Sequence, residues 1–172
     1  MKTQIWAHRG ASAYAPENTL EAFRLAAEMG ADGVELDVQL SRDGELVVAH
    51  DETIDRVSNG TGYIKDYTLA QLKELSFNRL FPAFKDARIP TLKEVYELLK
   101  PGGLTVNVEL KTGIILYPEI EEKVLALTAS MGMEDRVIYS SFCHPSLVRL
   151  KELDSGLKTG LLYSDGWIDA AA

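Results

Sequence analysis

Short apolar runs alternate along the chain with longer amphipathic ones. Gln4 to Ala7 reads as a short strand. Pro16-Glu17-Asn18-Thr19 opens a helix: Asn18 or Thr19 can cap it, Leu20, Phe23 and Ala27 form its apolar stripe, and Gly30 ends it. Gly33 to Val38 is a second strand, Arg42-Asp43-Gly44 a turn, and Leu46 to Ala49 a third strand that runs into His50-Asp51. The rhythm then weakens from Thr53 to about Arg88. Asn59-Gly60 and Gly62 mark turns, Thr68 caps a short helix over Leu69 to Leu75, and Phe77, Leu80, Phe81 and Phe84 form an apolar cluster. This stretch, about 53–88, is expected to be a small insertion folded over one end of the main domain.

Periodicity returns at Ile89-Pro90-Thr91. Thr91 with Glu94 is a capping box, and the helix it opens runs to Leu99 and stops at Pro101-Gly102-Gly103. Thr105 to Leu110 is the fourth strand, Pro118 to Met131 a helix with Gly132 just past its end, Val137 to Phe142 the fifth strand, Pro145 to Leu153 a helix, and Thr159 to Tyr163 the sixth strand. Apolar strands that alternate with helices predict parallel pairing with the helices outside. A count near six leaves two architectures for a single domain over 1–172: an open doubly wound sheet, or a (β/α)8 barrel cut short.

Composition narrows the partners. The 172 residues are 46% hydrophobic and 26% charged, ordinary for a globular protein, and the formal net charge of −8 argues against nucleic acid or an anionic membrane. No apolar run approaches the roughly 18 residues of a membrane span. The N-terminus leads straight into a strand, which reads as no signal peptide. Cys143 is the only cysteine, so no internal disulfide can form, and that suits a reducing, cytoplasmic location.

Polar residues interrupt the strands near their ends. Alternation puts Glu35 and Asp37 on one face of the second strand and Val34, Leu36 and Val38 on the other. On the fourth strand Asn107, Glu109 and Lys111 share a face against Val106, Val108 and Leu110. If Glu35, Asp37 and Glu109 converge, each pair about 4 Å apart repels by roughly 4 kcal/mol at an effective dielectric near 20. Three pairs reach on the order of 10 kcal/mol, the scale of a whole domain's stability. Protonation or a bound cation relieves this, and an all-carboxylate set selects Mg²⁺, Ca²⁺ or Mn²⁺ rather than zinc. His8 and His50 follow the first and third strands and suit a general acid and a general base. Arg9 can fork onto a phosphate and Lys111 can add a point charge. A metal, Arg9 and Lys111 together would make a cationic pocket in an acidic protein.

Blander readings cover the rest. His144, beside Pro145 at a helix start, is expected to be structural, and Cys143 inert. Gly60-Thr61-Gly62 is expected to be a turn rather than a phosphate loop. Trp6, Trp167 and the Phe77 to Phe84 cluster are expected to be core or lid packing.

The ordered set His8-Arg9-Gly10, Pro16-Glu17-Asn18-Thr19, Glu35-Leu36-Asp37-Val38, Val48-Ala49-His50-Asp51 and Asn107-Val108-Glu109-Leu110-Lys111 resembles the glycerophosphodiester phosphodiesterase family. Ile89-Pro90-Thr91-Leu92 and Ser140-Ser141-Phe142 match family segments too, so the likeness runs along essentially the whole chain. The resemblance implies a TIM (β/α) barrel with a small insertion after the third strand. It implies that Glu35, Asp37 and Glu109 hold one Mg²⁺ or Ca²⁺ ion. It implies that His8 and His50 are the acid–base pair and that Arg9 and Lys111 touch the phosphate. Attack by the substrate's own glycerol hydroxyl would give a cyclic phosphate that water opens, with His50 as base and His8 as acid. The products would be glycerol 3-phosphate and an alcohol such as choline or ethanolamine.

Such barrels need about 250 residues. Six strands therefore point to a barrel lacking its last one or two β/α units in this chain, including the family's late tryptophan, a place Trp167 comes too early to fill. Three alternatives stay open. One is a lysophospholipid phosphodiesterase, which needs an apolar groove that the Phe77 to Phe84 cluster could line. Another is an enolase-type or aldolase barrel. The third is a non-catalytic phosphate-ligand binding module or inactive truncated homologue. Oligomeric state is not legible.

Overall fold

The structure, a computed structural model, describes residues 3–164. Its strands are β1 (Trp6–His8), β2 (Gly33–Leu40), β3 (Leu46–Val48), β4 (Thr105–Leu110), β5 (Val137–Ser141) and β6 (Thr159–Leu161). Its helices are α1 (Leu20–Glu28), α2 (Leu69–Glu74), α3 (Leu92–Leu99), α4 (Ile120–Ser130) and α5 (His144–Leu153). The strands form one sheet in the order β1-β2-β4-β5-β6, parallel throughout, with β3 attached to β2.

Parallel pairing fails at β3, which runs antiparallel to β2 through Val38↔Val48, Gln39↔Val47 and Leu40↔Leu46. The link between them explains this. A parallel return needs a crossover of a dozen residues or more, and here only a tight turn intervenes. In it the Ser41 amide donates to the Glu45 carbonyl (3.0 Å) and the Gly44 amide to the Ser41 carbonyl (2.9 Å). The chain therefore folds back as a hairpin. The β1 register, Trp6↔Gly33 to His8↔Glu35, starts that strand two residues later and ends it one residue later than the hydrophobic pattern suggests, so His8 ends the strand rather than following it.

The alternation read from the strands sorts the two faces as expected. Val34, Leu36, Val38, Val106, Val108 and Leu110 are buried against Phe23 and Ala26 of α1, Val95, Tyr96 and Leu99 of α3, Ile120 and Val124 of α4, and Leu147 and Leu150 of α5. Glu35, Asp37, Gln39, Asn107 and Glu109 occupy the opposite face. Thr91 closes its capping box, accepting from the Glu94 amide (3.2 Å) while its own amide donates to Glu94 Oε2 (2.7 Å).

Residues 53–88 pack around a second apolar cluster of Val47, Ala49, Ile54, Ile64, Leu72, Phe77 and Ile89. Of the four residues in the aromatic-rich cluster, only Phe77 is buried. Phe81 and Phe84 meet edge to face at 6.3 Å and Leu80 is 54% exposed. No helix among the described residues is long and apolar enough to cross a membrane. Trp167 lies outside the described residues.

Candidate active site

Backbone bonds along β2 bring the polar strand ends together. The Glu35 carbonyl accepts from the Arg9 amide (3.1 Å) and the Asp37 carbonyl from the Ala49 amide (3.0 Å), both on one edge of β2. The Val38 carbonyl, facing the other edge, accepts from the Lys111 amide (3.1 Å). His8-Arg9 and Ala49-His50 thus flank one side of the β2 end and Lys111 the other. Side chains in register then share a face: His8↔Glu35↔Asn107, and Asp37↔Glu109↔Ser140.

The link from β1 to α1 is strained to fit. Arg9 (φ 58°) and Gly10 (φ 76°) lie in the left-handed region. A Cβ on Gly10 would come within 2.7 Å of the Ala22 carbonyl carbon, so only glycine lets the turn pass so close to α1. Among the described residues, Arg9, Asn18 and Glu119 are the positive-φ residues other than glycine, and two of the three sit at this site.

Glu35, Asp37 and Glu109 each present an oxygen within 4.8 Å of the others. Asp37 is fully buried, Glu109 is 7% exposed, and the Glu35 side chain is 13% exposed. Burial and then the Asp37 charge push the Glu35 carboxyl from its ordinary 4.5 to about 8. Burial and Asp37 raise Glu109 as well, against the pull of Lys111. Glu35 Oε1 and Asp37 Oδ1 are buried without a hydrogen-bond partner. Buried acceptors left unpaired beside like charges are what a hard divalent cation satisfies, so the donor set fits such an ion.

Cationic and amide groups hold the carboxylates from outside. Asn18 Nδ2 donates to Asp37 Oδ2 (2.8 Å), Arg9 Nε lies 3.6 Å from the same oxygen, and Lys111 Nζ donates to Glu109 Oε1 (3.0 Å). The Arg9 amide donates to Glu35 Oε2 (3.0 Å), and His8 Nε2 stands 3.8 Å from that oxygen. His8 is mostly exposed, and burial of the rest of it, followed by the Arg9 charge, lowers its pKa. His50 Nδ1 is 2.7 Å from Asp51 Oδ1. All seven residues singled out from the sequence therefore meet at one end of the sheet. His144 instead bonds to the Leu162 carbonyl (2.9 Å).

The sequence model of the glycerophosphoryl diester phosphodiesterase family matches residues 8–171. The chain belongs to that family. Its enzymes hydrolyse glycerophosphodiesters. A glycerophosphodiester phosphodiesterase of Caldanaerobacter subterraneus is 52% identical over 170 residues, 98% of this chain and 70% of that protein. The glycerophosphodiester phosphodiesterase structure from Agrobacterium tumefaciens superposes with a TM-score of 0.84 at 38% identity, covering 92% of this chain and 66% of that one. An Oleispira antarctica phosphodiesterase, solved with the product sn-glycerol-3-phosphate, gives 0.83 at 34% identity over 98% of this chain and 68% of its own. The fold is accordingly that of a glycerophosphodiester phosphodiesterase β/α barrel, of whose length in these relatives the chain spans about two thirds.

Four further residues bind into this cluster. Asn18, read from the sequence as an alternative cap, leaves capping to Thr19 and bonds Asp37 instead. Gln39 continues the inward row of Glu35 and Asp37. Its Nε2 donates to the carbonyls of Ala49 (2.9 Å), His50 (3.3 Å) and Asp51 (2.7 Å), and its Oε1 accepts from Tyr117 (2.9 Å). The same alternation signals it once β2 is carried to Leu40 rather than stopped at Val38. Glu17 and Arg56 are joined by two bonds, at 2.7 and 2.8 Å. No local pattern marks Arg56, which comes from the irregular segment.

Proposed function

We propose that this chain catalyses metal-dependent hydrolysis of glycerophosphodiesters, with His8 and His50 as its acid–base pair. The observation that carries the proposal is the convergence of three largely buried, mutually repelling carboxylates with two histidines, Arg9 and Lys111 at the strand ends. A divalent ion held by Glu35, Asp37 and Glu109 would supply a Lewis acid to a phosphoryl oxygen. Arg9 and Lys111 orient the phosphate and offset its charge. Asp51 accepts from His50 Nδ1, which leaves Nε2 bare to take a proton from the attacking glycerol hydroxyl. His8 carries the complementary proton to the departing alcohol. Burial and then the Arg9 charge lower its pKa, and an adjacent phosphate anion favours its protonated form. A cyclic phosphate formed this way is opened by water with the histidine roles reversed, releasing glycerol 3-phosphate.

A second reading, turnover of a lysophospholipid, draws on different residues from those the sequence suggested. Ile114 (77% exposed) and Phe142 (51% exposed) line a hollow of about 210 Å³ with Glu109 and Lys111. The test is glycerol 3-phosphate release from glycerophosphocholine, with Mg²⁺ or Ca²⁺ and with chelator, beside choline release from lysophosphatidylcholine. Ion-dependent glycerol 3-phosphate release supports the first reading. Preference for the acylated substrate supports the second, and silence with every ion on both substrates defeats the two together.

A further inference from the structure

Arg56 comes from the segment after β3, and its guanidinium reaches two carboxylates, Asp51 five residues back and Glu17 ahead of α1. Its Nε donates to Asp51 Oδ2 (2.7 Å) and its Nη2 to Asp51 Oδ1 (3.2 Å). Its Nη1 donates to Glu17 Oε2 (2.7 Å) and its Nη2 to Glu17 Oε1 (2.8 Å). Each carboxylate passes the contact to a residue of the site: Asp51 Oδ1 to His50 Nδ1 at 2.7 Å, and Glu17 Oε1 to Arg9 Nη1 at 3.1 Å. A planar fork with donors on two sides can hold each of two carboxylates through a pair of bonds at once.

We propose that Arg56 is a positioning residue that fixes the tautomer of His50 through Asp51 and the placement of Arg9 through Glu17. The proposal rests on the phosphodiesterase reading, in which His50 Nε2 must be the bare nitrogen. Two donors on Asp51 keep that carboxyl an acceptor, so the proton stays on His50 Nδ1. The Arg56 bonds, with a smaller share from His50, hold Asp51 down at about 2. Burial works to raise Glu17, yet the bonds from Arg56 and Arg9 keep it below its ordinary value, ionised and able to hold Arg9. Ile54, Val57 and Phe77 line the hollow behind the clasp. The segment after β3 thus contributes to the chemistry without touching substrate.

The test reads the ring nitrogens of His50 in the ¹⁵N-histidine-labelled chain at about pH 8, where imidazole is neutral, with His50→Gln providing the assignment. The wild type should show a protonated Nδ1 and a bare Nε2. Arg56→Gln should move His50 toward the Nε2–H form and lower kcat by roughly 100-fold, the range of other partners that orient a working histidine. Arg56→Lys should not restore either, because an ammonium cannot fork. Glu17→Gln should raise KM about tenfold through Arg9 while leaving the His50 tautomer in place. A folded Arg56→Gln with the wild-type tautomer overturns the proposal, as does a Glu17→Gln that shifts it equally. Should Arg56→Gln not fold, Asp51→Asn decides, since Arg56 then holds the amide oxygen and the NH2 donor faces His50 Nδ1, favouring the Nε2–H form: an unchanged tautomer there also overturns it. A wild type that shows the expected tautomer but releases no glycerol 3-phosphate defeats the functional reading and leaves the Arg56 result standing.

Discussion

Replacing Glu35 by Gln should stabilise the ion-free protein while destroying its response to metal. The magnitude follows from the carboxylate cluster. Glu35 titrates at 4.5 when unfolded and at about 8 in the fold, raised by burial first and by Asp37 second. Between those values the native state holds a proton that the unfolded chain has lost, so stability falls as pH rises, by about 1.4 kcal/mol per pH unit. Across the window the loss reaches about 5 kcal/mol, a large part of a domain's usual stability. The contribution is fully present below pH 4.5 and gone above about 8. Glu109, raised for the same two leading reasons, bends the curve the same way.

Urea unfolding across this range, in chelator, should show that decline. Mg²⁺ or Ca²⁺ at 100 times its Kd should offset about half of it, because an ion bound only by the native carboxylates adds about 2.7 kcal/mol there. Glu35→Gln can keep the bond from the Arg9 amide through its carbonyl oxygen and cannot ionise. It should therefore be more stable than the wild type near pH 8 in chelator, show a shallower slope, and gain little from added ion. A wild-type stability flat from pH 5 to 8 in chelator, or a Glu35→Gln chain that still gains as much from the ion, would refute the reasoning.

Three other perturbations probe the remainder of the site. His50→Ala should lower kcat for glycerophosphocholine by about 1,000-fold with an unchanged circular dichroism spectrum, as expected for removal of a general base on a half-buried loop. Gly10→Ala should cost about 2–3 kcal/mol in urea unfolding, since it combines a left-handed φ with a Cβ driven into the Ala22 backbone. Gln39→Leu should cost about 3 kcal/mol by stripping the donor from the carbonyls of Ala49, His50 and Asp51. It should also lower kcat, measured in the same release assay, because those carbonyls belong to the segment that carries His50.

What the sequence made legible follows from how each feature is encoded. Two-residue alternation is local, so Glu35 and Asp37 could be assigned to one face of their strand, with Val34, Leu36 and Val38 opposite, and Glu109 to the polar face of its own strand, before it was known that the two strands pair. Pairing direction is not local in the same way. Apolar Leu46 to Val48 looks alike in a parallel or antiparallel strand, and only the shortness of the Ser41–Glu45 turn separates the two. Arg56 was hidden for a stronger reason. Its partners Glu17 and Asp51 lie 39 and 5 residues away, and a surface arginine in an irregular stretch has the same composition whether or not it clasps anything. Strand ends fix where charged groups must converge, while an irregular segment fixes how they are held. The substitution most able to disable this site without touching metal ligand or phosphate should therefore fall in residues 53–88, where the sequence gives least warning.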